Sequence, residues 1–288
     1  MKPAPFQYSD PRSIDEALTV LAGHADDAKV LAGGQSLVTM LNFRLARPAL
    51  IVDVNRVDGL DALAVNGTLR VGALVRQRRL ERWARERSPL LAAALALIGH
   101  AAVRNRGTVA GSIVHADPAA ELPALLLVLD GVAVARSSRG ERQIPAAELF
   151  QGPLTTSVAP DELVTETRFT LPAPSEGWGF HEVARRHGDF ALAGVVAVLG
   201  LRAGKIERPR IAVFGAGPTS LRLAAAEHAL AGQSPGADVF REVAETACRE
   251  LPAPADIHAT AEYRRRVSAT LVARALADAT GRAQDPSL

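Results

Sequence analysis

The chain has 288 residues, of which 48% are hydrophobic and 22% are charged, and its formal net charge is +2. These values fit a globular protein with room for two or three cores, and they give no general attraction for nucleic acid or an anionic membrane surface. A single cysteine, Cys248, excludes a disulfide or a cysteine-ligated iron–sulfur cluster built within the chain. Low cysteine usage and the lack of an apolar leader or spanning stretch predict a cytoplasmic protein without a membrane span.

The first predicted unit covers residues 1–57 and has a βαβ-like pattern. Ser13 and Glu16 have the spacing of a capping box, which predicts a helix start. A strand, a helix and a strand follow at 29–32, 37–45 and 50–54. Gly33 and Gly34 occupy the strand-to-helix turn, where glycine lets backbone N–H groups approach an anion. Such a pair is equally typical of an ordinary turn, so this loop alone does not establish a binding site.

The second predicted unit, residues 58–172, contains a second glycine loop, RGTVAGS at 106–112. Asp117 followed by Pro118 has the N-cap and N1 pattern of a helix start, so the helix after it should point its first turn at whatever the loop binds. The predicted elements are a strand at 68–72, helices at 75–87, from residue 90 and at 119–129, a hairpin at 132–144 and a last strand at 162–171.

A stretch dense in turn residues at 172–177 is interpreted as a linker to a third unit, residues 178–288. Three strands are predicted there, at 180–186, 191–201 and 206–214. Three helices follow, at 221–230, 238–251 and 259–279. Strands followed by a run of helices favour an α+β module over alternating α/β units.

Three other patterns could indicate a binding site, and for each of them we prefer a purely structural explanation. IAVFGAGPTS at 211–220 resembles the start of a dinucleotide fingerprint, but Ser220 replaces the third glycine, so we expect an ordinary turn there. The six arginines at 76–87 interleave with Glu81 and Glu86, which favours a solvated or partner-facing helix over a nucleic-acid patch. The seven histidines include no i,i+4 pair, so we expect no metal site.

Several ordered motifs resemble one family over nearly the whole chain. They are AGGQS at 32–36, RNRGTVAGS at 104–112, ADPAAELP at 116–123 and RRHGDFA at 185–191. Together they are similar to the FAD-binding medium subunit of molybdenum hydroxylases, the group of carbon monoxide dehydrogenase and xanthine dehydrogenase. The resemblance implies an α+β protein with a two-subdomain FAD-binding fold of the PCMH/vanillyl-alcohol-oxidase type. It also implies a C-terminal domain of a three-stranded antiparallel sheet and three helices.

The resemblance also implies which residues bind the cofactor. The first loop and its flanks would clamp the diphosphate through Lys29, Val30, Leu31, Ala32, Gly33, Gly34, Gln35, Ser36 and Leu37. The second loop and the helix after it would contribute Thr108, Gly111, Ser112, Asp117 and Glu121. Val164, His181 and Phe190 would surround the flavin ring. Three alternatives stay open: Asp117 acts only as a helix cap, His181 is only a solvent-facing strand residue, or Lys29 is only an exposed strand residue.

By resemblance, the chain is an electron-transfer subunit that binds FAD non-covalently and has no catalytic residue of its own for substrate. A molybdenum cofactor would lie on a large molybdopterin-binding subunit and two [2Fe-2S] clusters on a small subunit, in a dimer of heterotrimers. Electrons would pass from those clusters through FAD to a terminal acceptor. The alternative is a stand-alone flavin oxidase or dehydrogenase of the same fold, which would need a substrate base that no residue pattern here supplies.

Overall fold

The first structural unit is a three-stranded parallel sheet flanked by two helices, and it begins the part of the chain that the computed structural model describes, residues 2–285. Its strand order is β1-β3-β2. The elements are β1 (Gln7–Ser9), α1 (Ile14–His24), β2 (Ala28–Leu31), α2 (Leu37–Asn42) and β3 (Leu50–Asp53), with 3₁₀ turns at Ala25–Asp27 and Val54–Arg56. The predicted helix start is confirmed, since the Ser13 hydroxyl accepts the Glu16 N–H at 3.2 Å, whereas the Glu16 carboxylate accepts from the Arg12 N–H at 2.7 Å and does not complete the capping box.

The second unit is an antiparallel sheet in the order β4-β5-β10-β6-β7, with the helices packed against it. Its elements are β4 (Leu63–Asn66), β5 (Thr68–Gly72), α3 (Gln77–Ala84), α4 (Pro89–Leu97), α5 (Ala101–Arg106), α6 (Val109–His115), α7 (Glu121–Val128), β6 (Val132–Ser137), β7 (Gly140–Pro145), α8 (Ala146–Leu149), β8 (Phe150–Gly152), β9 (Thr155–Thr156) and β10 (Leu163–Phe169). Every residue of α7 is buried, because this helix is apolar on nearly all sides and also contacts the third unit.

The third unit is a four-stranded antiparallel sheet, β11-β12-β13-β14, with three helices after it. Its elements are β11 (Glu176–Ala184), β12 (Ala191–Arg202), β13 (Lys205–Phe214), β14 (Leu221–Arg222), α9 (Ala224–Leu230), α10 (Ala237–Arg249) and α11 (Ala261–Gln284). One face of β12, including Val196, joins the core shared with the second unit. The other face, including Val195, packs on the helices of its own unit. The sheet of the third unit therefore lies between two cores, one shared with the second unit and one formed with its own helices.

Three differences from the sequence prediction concern the C-terminal sheet, the start of helix α7 and the predicted linker. The C-terminal sheet has a fourth strand, because Leu221 and Arg222 pair with β13 and the helix starts only at Ala224. Helix α7 begins at Glu121 and not at 119, because the Asp117 side chain accepts the Ala119 N–H at 2.9 Å and closes a separate turn. Strand β11 begins inside the predicted linker. Within residues 2–285 no helix is long and apolar enough to cross a membrane.

Candidate functional site

The two glycine loops lie against each other, although about 75 residues separate them in the sequence. A Cβ atom added to Gly33 would lie 2.7 Å from the Arg106 carbonyl oxygen and 2.9 Å from the Thr108 nitrogen. Real Cβ atoms do not approach backbone atoms so closely, so only glycine permits this packing. The predicted convergence of the two loops is therefore present in the fold.

Open backbone donors line the first loop. Gly34 has a φ of +74°, a left-handed conformation that favours glycine. Within the described chain, no acceptor pairs with the backbone N–H groups of Gly34, Gln35 or Ser36. The side chains of Gln35 and Ser36 are exposed, so this surface is open to a ligand. Unpaired N–H groups at a strand-to-helix turn suit an anion such as a diphosphate, and the loop therefore fits the phosphate part of FAD.

The second loop is organised by Thr108. Its hydroxyl accepts the Gly111 N–H at 3.1 Å and caps α6. A Cβ on Gly111 would lie 2.5 Å from that hydroxyl oxygen, so a larger residue there would displace the cap. Ser112 is half-buried one turn into the helix. Thr108 is the residue that the resemblance assigns to FAD; it is buried with 2% of its surface exposed, and its hydroxyl still has a proton to donate after accepting the Gly111 N–H.

Asn55 and Arg76 tie the two loops together. The Asn55 amide donates to the Ala32 carbonyl at 2.8 Å and to Asp53 Oδ1 at 2.6 Å. Arg76 donates from Nη2 to Asn55 Oδ1 at 2.7 Å and from Nη1 to the Arg106 carbonyl at 2.6 Å. One guanidinium thus bridges the end of the first unit and the second loop, which fixes the distance between them.

Arg76 also brings charge to the junction. Burial, and then repulsion from Arg106, lowers the pKa of the Arg76 guanidinium, yet an arginine stays protonated in proteins. Two cations close to each other where the loops meet favour a doubly charged ligand. The sequence pattern predicts a helix that includes Arg76, whereas Arg76 precedes α3 in extended backbone and forms a β-bridge with Thr108. Only this long-range pairing reveals its role.

Helix α3 does not present its charges only to solvent. Glu81 is 2% exposed and accepts from Arg78 at 2.6 Å, Arg85 at 3.0 Å and Arg104 at 3.0 Å. Burial raises the pKa of Glu81 and the arginine hydrogen bonds lower it, with a net lowering. This buried ion cluster joins α3 to α5, the helix that leads into the second glycine loop, so the expected solvated helix is in part a support for the site.

Glu121 opens α7 as a buried carboxyl, with 7% of its surface exposed. Burial, and then the neighbouring Glu182 carboxylate, raises the pKa of Glu121 to about 8. Burial raises the pKa of Glu182 to about 7, and its Oε2 atom is buried without a hydrogen-bond partner in the described chain. Glu121 begins α7 and Glu182 lies on β11, and the two carboxyl groups are close enough for charge repulsion to act between them. A group that donates hydrogen bonds would complete this site.

His181 is not brought into this cluster. Its Nε2 lies 3.0 Å from Asp278 Oδ2 on α11, on the strand face opposite Glu182. The adjacent residue, Glu182, is the one whose carboxyl approaches Glu121, and it was not among the predicted site residues. Strand alternation is the signal that could have separated the two, since neighbouring side chains point to opposite faces. Val164 is 7% exposed and belongs to the core in β10.

Phe190 lies in the loop between β11 and β12 and is 72% exposed. The same loop packs on His100, because a Cβ on Gly188 would lie 2.7 Å from that ring. His100 immediately precedes α5, so the loop is held near the second glycine loop with its phenyl ring free to stack on a planar group.

The remaining predicted residues flank the first loop. Lys29 is exposed on β2, whereas Val30, Leu31, Ala32 and Leu37 are half-buried.

Gly215, in the pattern that resembles a dinucleotide fingerprint, has a φ of +72° and donates its N–H to the Pro118 carbonyl at 2.7 Å. That turn packs the C-terminal unit on the segment before α7, which agrees with an ordinary turn.

The fold and the paired loops define an FAD-binding oxidoreductase subunit. Residues 4–174 match the family described as FAD binding domain in molybdopterin dehydrogenase, and residues 178–279 match CO dehydrogenase flavoprotein C-terminal domain. The chain belongs to this family of molybdenum hydroxylase flavoprotein subunits, as the motifs predicted.

Relatives match the chain from end to end. The 6-hydroxypseudooxynicotine dehydrogenase complex subunit alpha of Paenarthrobacter nicotinovorans is 42% identical and covers 99% of this chain and 97% of its own. Caffeine dehydrogenase subunit beta of Pseudomonas sp. (strain CBB1) is also 42% identical, covering 98% and 97%. A carbon monoxide dehydrogenase structure from Hydrogenophaga pseudoflava matches with a TM-score of 0.95 and 34% identity, covering 98% and 99%.

Proposed function

We propose that this chain is the FAD-carrying electron-transfer subunit of a molybdenum hydroxylase complex, passing electrons from [2Fe-2S] clusters of a partner to a terminal acceptor. The observation that carries the proposal is the junction of two glycine loops with unpaired backbone N–H groups at Gly34, Gln35 and Ser36. FAD, when bound, supplies a centre that takes up and releases electrons singly or in pairs. The protein contributes binding, orientation and electrostatics.

Each part of the site has a task in this proposal. The first-loop N–H groups hold the diphosphate, and Arg76 with Arg106 offsets its charge. The hydroxyls of Thr108 and Ser112 donate to phosphate or ribityl oxygens. Glu121 accepts a hydrogen bond from a ribityl hydroxyl, which gives its buried carboxyl a polar partner. Phe190 stacks on the flavin ring and shields one face.

We propose the three units as domains with boundaries 1–57, 58–172 and 178–288, the first two holding the FAD between them. Neither glycine loop contains a histidine or cysteine that could attach a flavin, so the cofactor is held non-covalently. Asp117 accepts the Ala119 N–H and stabilises the turn before α7. His181 forms a hydrogen bond with Asp278 and holds α11 against β11.

The partners follow from the same proposal. A large subunit carries the molybdenum cofactor, a small subunit carries two [2Fe-2S] clusters, and the assembly is a dimer of heterotrimers in the cytoplasm. Two relatives at 42% identity are named for caffeine and for a nicotine derivative. We therefore assign the complex a nitrogen heterocycle as substrate, bound on the large subunit.

One observation favours the second candidate, a stand-alone flavin oxidase. The buried Glu121 and Glu182 pair has pKa values raised to about 8 and about 7, which suits a general base. Against it, the third unit is short and packs its sheet on its own helices and on α7, which leaves little room for a substrate domain.

The complex purified with its partners separates the two candidates. Acid precipitation should leave one FAD per chain in the supernatant. Substrate should still reduce the iron–sulfur clusters after the flavin is removed, whereas turnover with the terminal acceptor should fall by at least tenfold. Substrate oxidation by the isolated chain, at a rate that Glu121→Gln abolishes, would establish the oxidase instead.

A further inference from the structure

Arg264 is a buried cation in the first turns of α11. It is 4% exposed and lies on the buried face of the helix with Ser268 and Leu271. Burying a guanidinium is unfavourable unless its N–H groups are hydrogen-bonded, and the positive end of the helix dipole disfavours a cation at this place. The contacts of Arg264 must therefore stabilise it, and they lead toward the proposed flavin site.

The guanidinium joins three segments of the third unit. Its Nη1 donates to the Leu192 carbonyl at 2.6 Å and to the Gly215 carbonyl at 2.8 Å. Its Nη2 donates to Asp256 Oδ2 at 2.6 Å. The planar fork of an arginine can serve acceptors on several sides, whereas the ammonium of a lysine is a compact point charge. Leu192 comes two residues after Phe190, so these bonds fix the exit of the β11–β12 loop.

Asp256 carries the same support to the entrance of that loop. Its Oδ1 accepts the N–H groups of His258 at 2.8 Å and Ala259 at 2.9 Å, which closes a tight turn beside Arg264. Arg185, the residue after β11, donates from Nη1 to His258 Nδ1 at 3.2 Å. Both ends of the β11–β12 loop are therefore connected to Arg264, one directly and one through this turn.

Gly215 ties the arrangement to the second unit. A Cβ atom added to Gly215 would lie 2.9 Å from the Ala191 carbonyl oxygen and 3.0 Å from that of Leu192, so only glycine allows this close packing. The Gly215 N–H donates to the Pro118 carbonyl at 2.7 Å. Because Pro118 lies in the turn before α7, the start of β12 keeps a fixed position relative to the helix that Glu121 opens.

We propose that Arg264 is a positioning residue for the flavin ring, because it holds both ends of the loop that carries Phe190. The inference rests on the proposed function, in which Phe190 stacks on that ring. Phe190 is 72% exposed, so packing of its own side chain contributes little to its position. The backbone on either side must provide that position, and Arg264 is the residue to which both sides are connected.

A double-mutant cycle in the full chain tests the inference by FAD titration. Arg264→Lys should weaken FAD binding about three- to tenfold, as expected when an aromatic stacking contact is lost. In a Phe190→Ala background the same substitution should weaken binding less than about twofold, because the contact is already absent. Visible circular dichroism of the bound flavin, which depends on the surroundings of the ring, should change in the same way in both single variants. Equal losses of affinity in the two backgrounds would overturn the inference.

The matched control is Arg282→Lys, about 27 Å further along the same helix. Arg282 donates to the Trp178 carbonyl at 2.6 Å and lies 4.0 Å from the centre of the Trp178 ring, so this change also weakens the packing of α11 on β11. It should lower the Tm but leave the FAD affinity and the visible spectrum unchanged. If both lysine variants changed the spectrum equally, Arg264 would have only a structural role.

A surface variant covers the case in which Arg264→Lys does not fold. Arg185→Gln alters an exposed side chain and removes the bond at the loop entrance, so it should shift the visible spectrum in the direction of Phe190→Ala. A wild-type spectrum in Arg185→Gln would then overturn the inference. A wild-type chain that binds no FAD, or Phe190→Ala with unchanged affinity and spectrum, would refute the proposed function itself. A normal Phe190→Ala effect with a silent Arg264→Lys would refute the positioning role alone.

Discussion

Glu121→Gln should stabilise the flavin-free chain at alkaline pH and leave it nearly unchanged at acidic pH. The carboxyl is 7% exposed, and burial, with Glu182 as the second cause, raises its pKa to about 8. The folded chain therefore holds this proton more tightly than the unfolded chain. The resulting stability is complete below the unfolded pKa of 4.5 and is lost as the pH rises through about 8.

The magnitude follows from the difference between the two pKa values. Each factor of ten in proton affinity is worth about 1.4 kcal/mol, so raising the pKa from 4.5 to about 8 removes about 5 kcal/mol from the free energy of unfolding above pH 8. Glutamine has almost the same shape and does not titrate. The variant should therefore exceed the wild type by several kcal/mol at pH 9 and by less than about 1 kcal/mol at pH 5.

Urea denaturation of flavin-free protein, followed by circular dichroism at both pH values, measures this difference. Glu245→Gln, an exposed glutamate on α10, is the control and should change neither value by more than about 0.5 kcal/mol. An equal effect of Glu121→Gln at pH 5 and pH 9 would refute the reasoning, because the benefit would then come from packing and not from the buried charge.

Three further substitutions test the cradle, by which we mean the two glycine loops with Arg76, Glu121 and Phe190, by flavin titration and thermal unfolding. Gly33→Val should abolish FAD binding and lower the Tm, since its side chain would force the loops apart; Gly23→Val, in open space, should bind normally. Arg76→Lys should weaken FAD binding roughly fivefold by losing one of two bridging bonds, worth about 1 kcal/mol, whereas Arg79→Lys should not. Phe190→Ala should cost about 0.5–1.5 kcal/mol of FAD binding with an unchanged Tm, because the ring is 72% exposed.

Local signals predicted much of this fold. The Ser13 cap, the strand at 68–72 and the two glycine loops all follow from residues close together in sequence, and the structure has each of them. Strand β14 was missed because a two-residue strand has no periodicity and exists only through its pairing with β13. Helices α5 and α6 are six and seven residues long, too short for an amphipathic pattern.

The site was harder to predict where it depends on contacts between units. Arg76 looks like one of six arginines in a charged run, and only its bonds to Asn55 and the Arg106 carbonyl distinguish it. The same holds for the Glu121 and Glu182 pair, which joins two elements from different units. Neither relation leaves a spacing in the sequence, because the partners are fixed by how the sheets pack and not by local turns.

The choice between His181 and Glu182 shows how packing of the third unit controls the cradle. A Cβ on Gly179 would lie 2.1 Å from the Ala275 carbonyl oxygen, so α11 rests directly on the backbone of β11 at this face. His181 lies on the same face, where it meets Asp278. Phe180 and Glu182 must then point the other way, and Phe180 indeed packs on the core shared with the second unit. A one-residue slip of β11 would exchange the two side chains and put an imidazole opposite Glu121. The glycine that lets α11 approach therefore also determines that a carboxyl faces the carboxyl of α7, and with it the alkaline instability expected of the flavin-free chain.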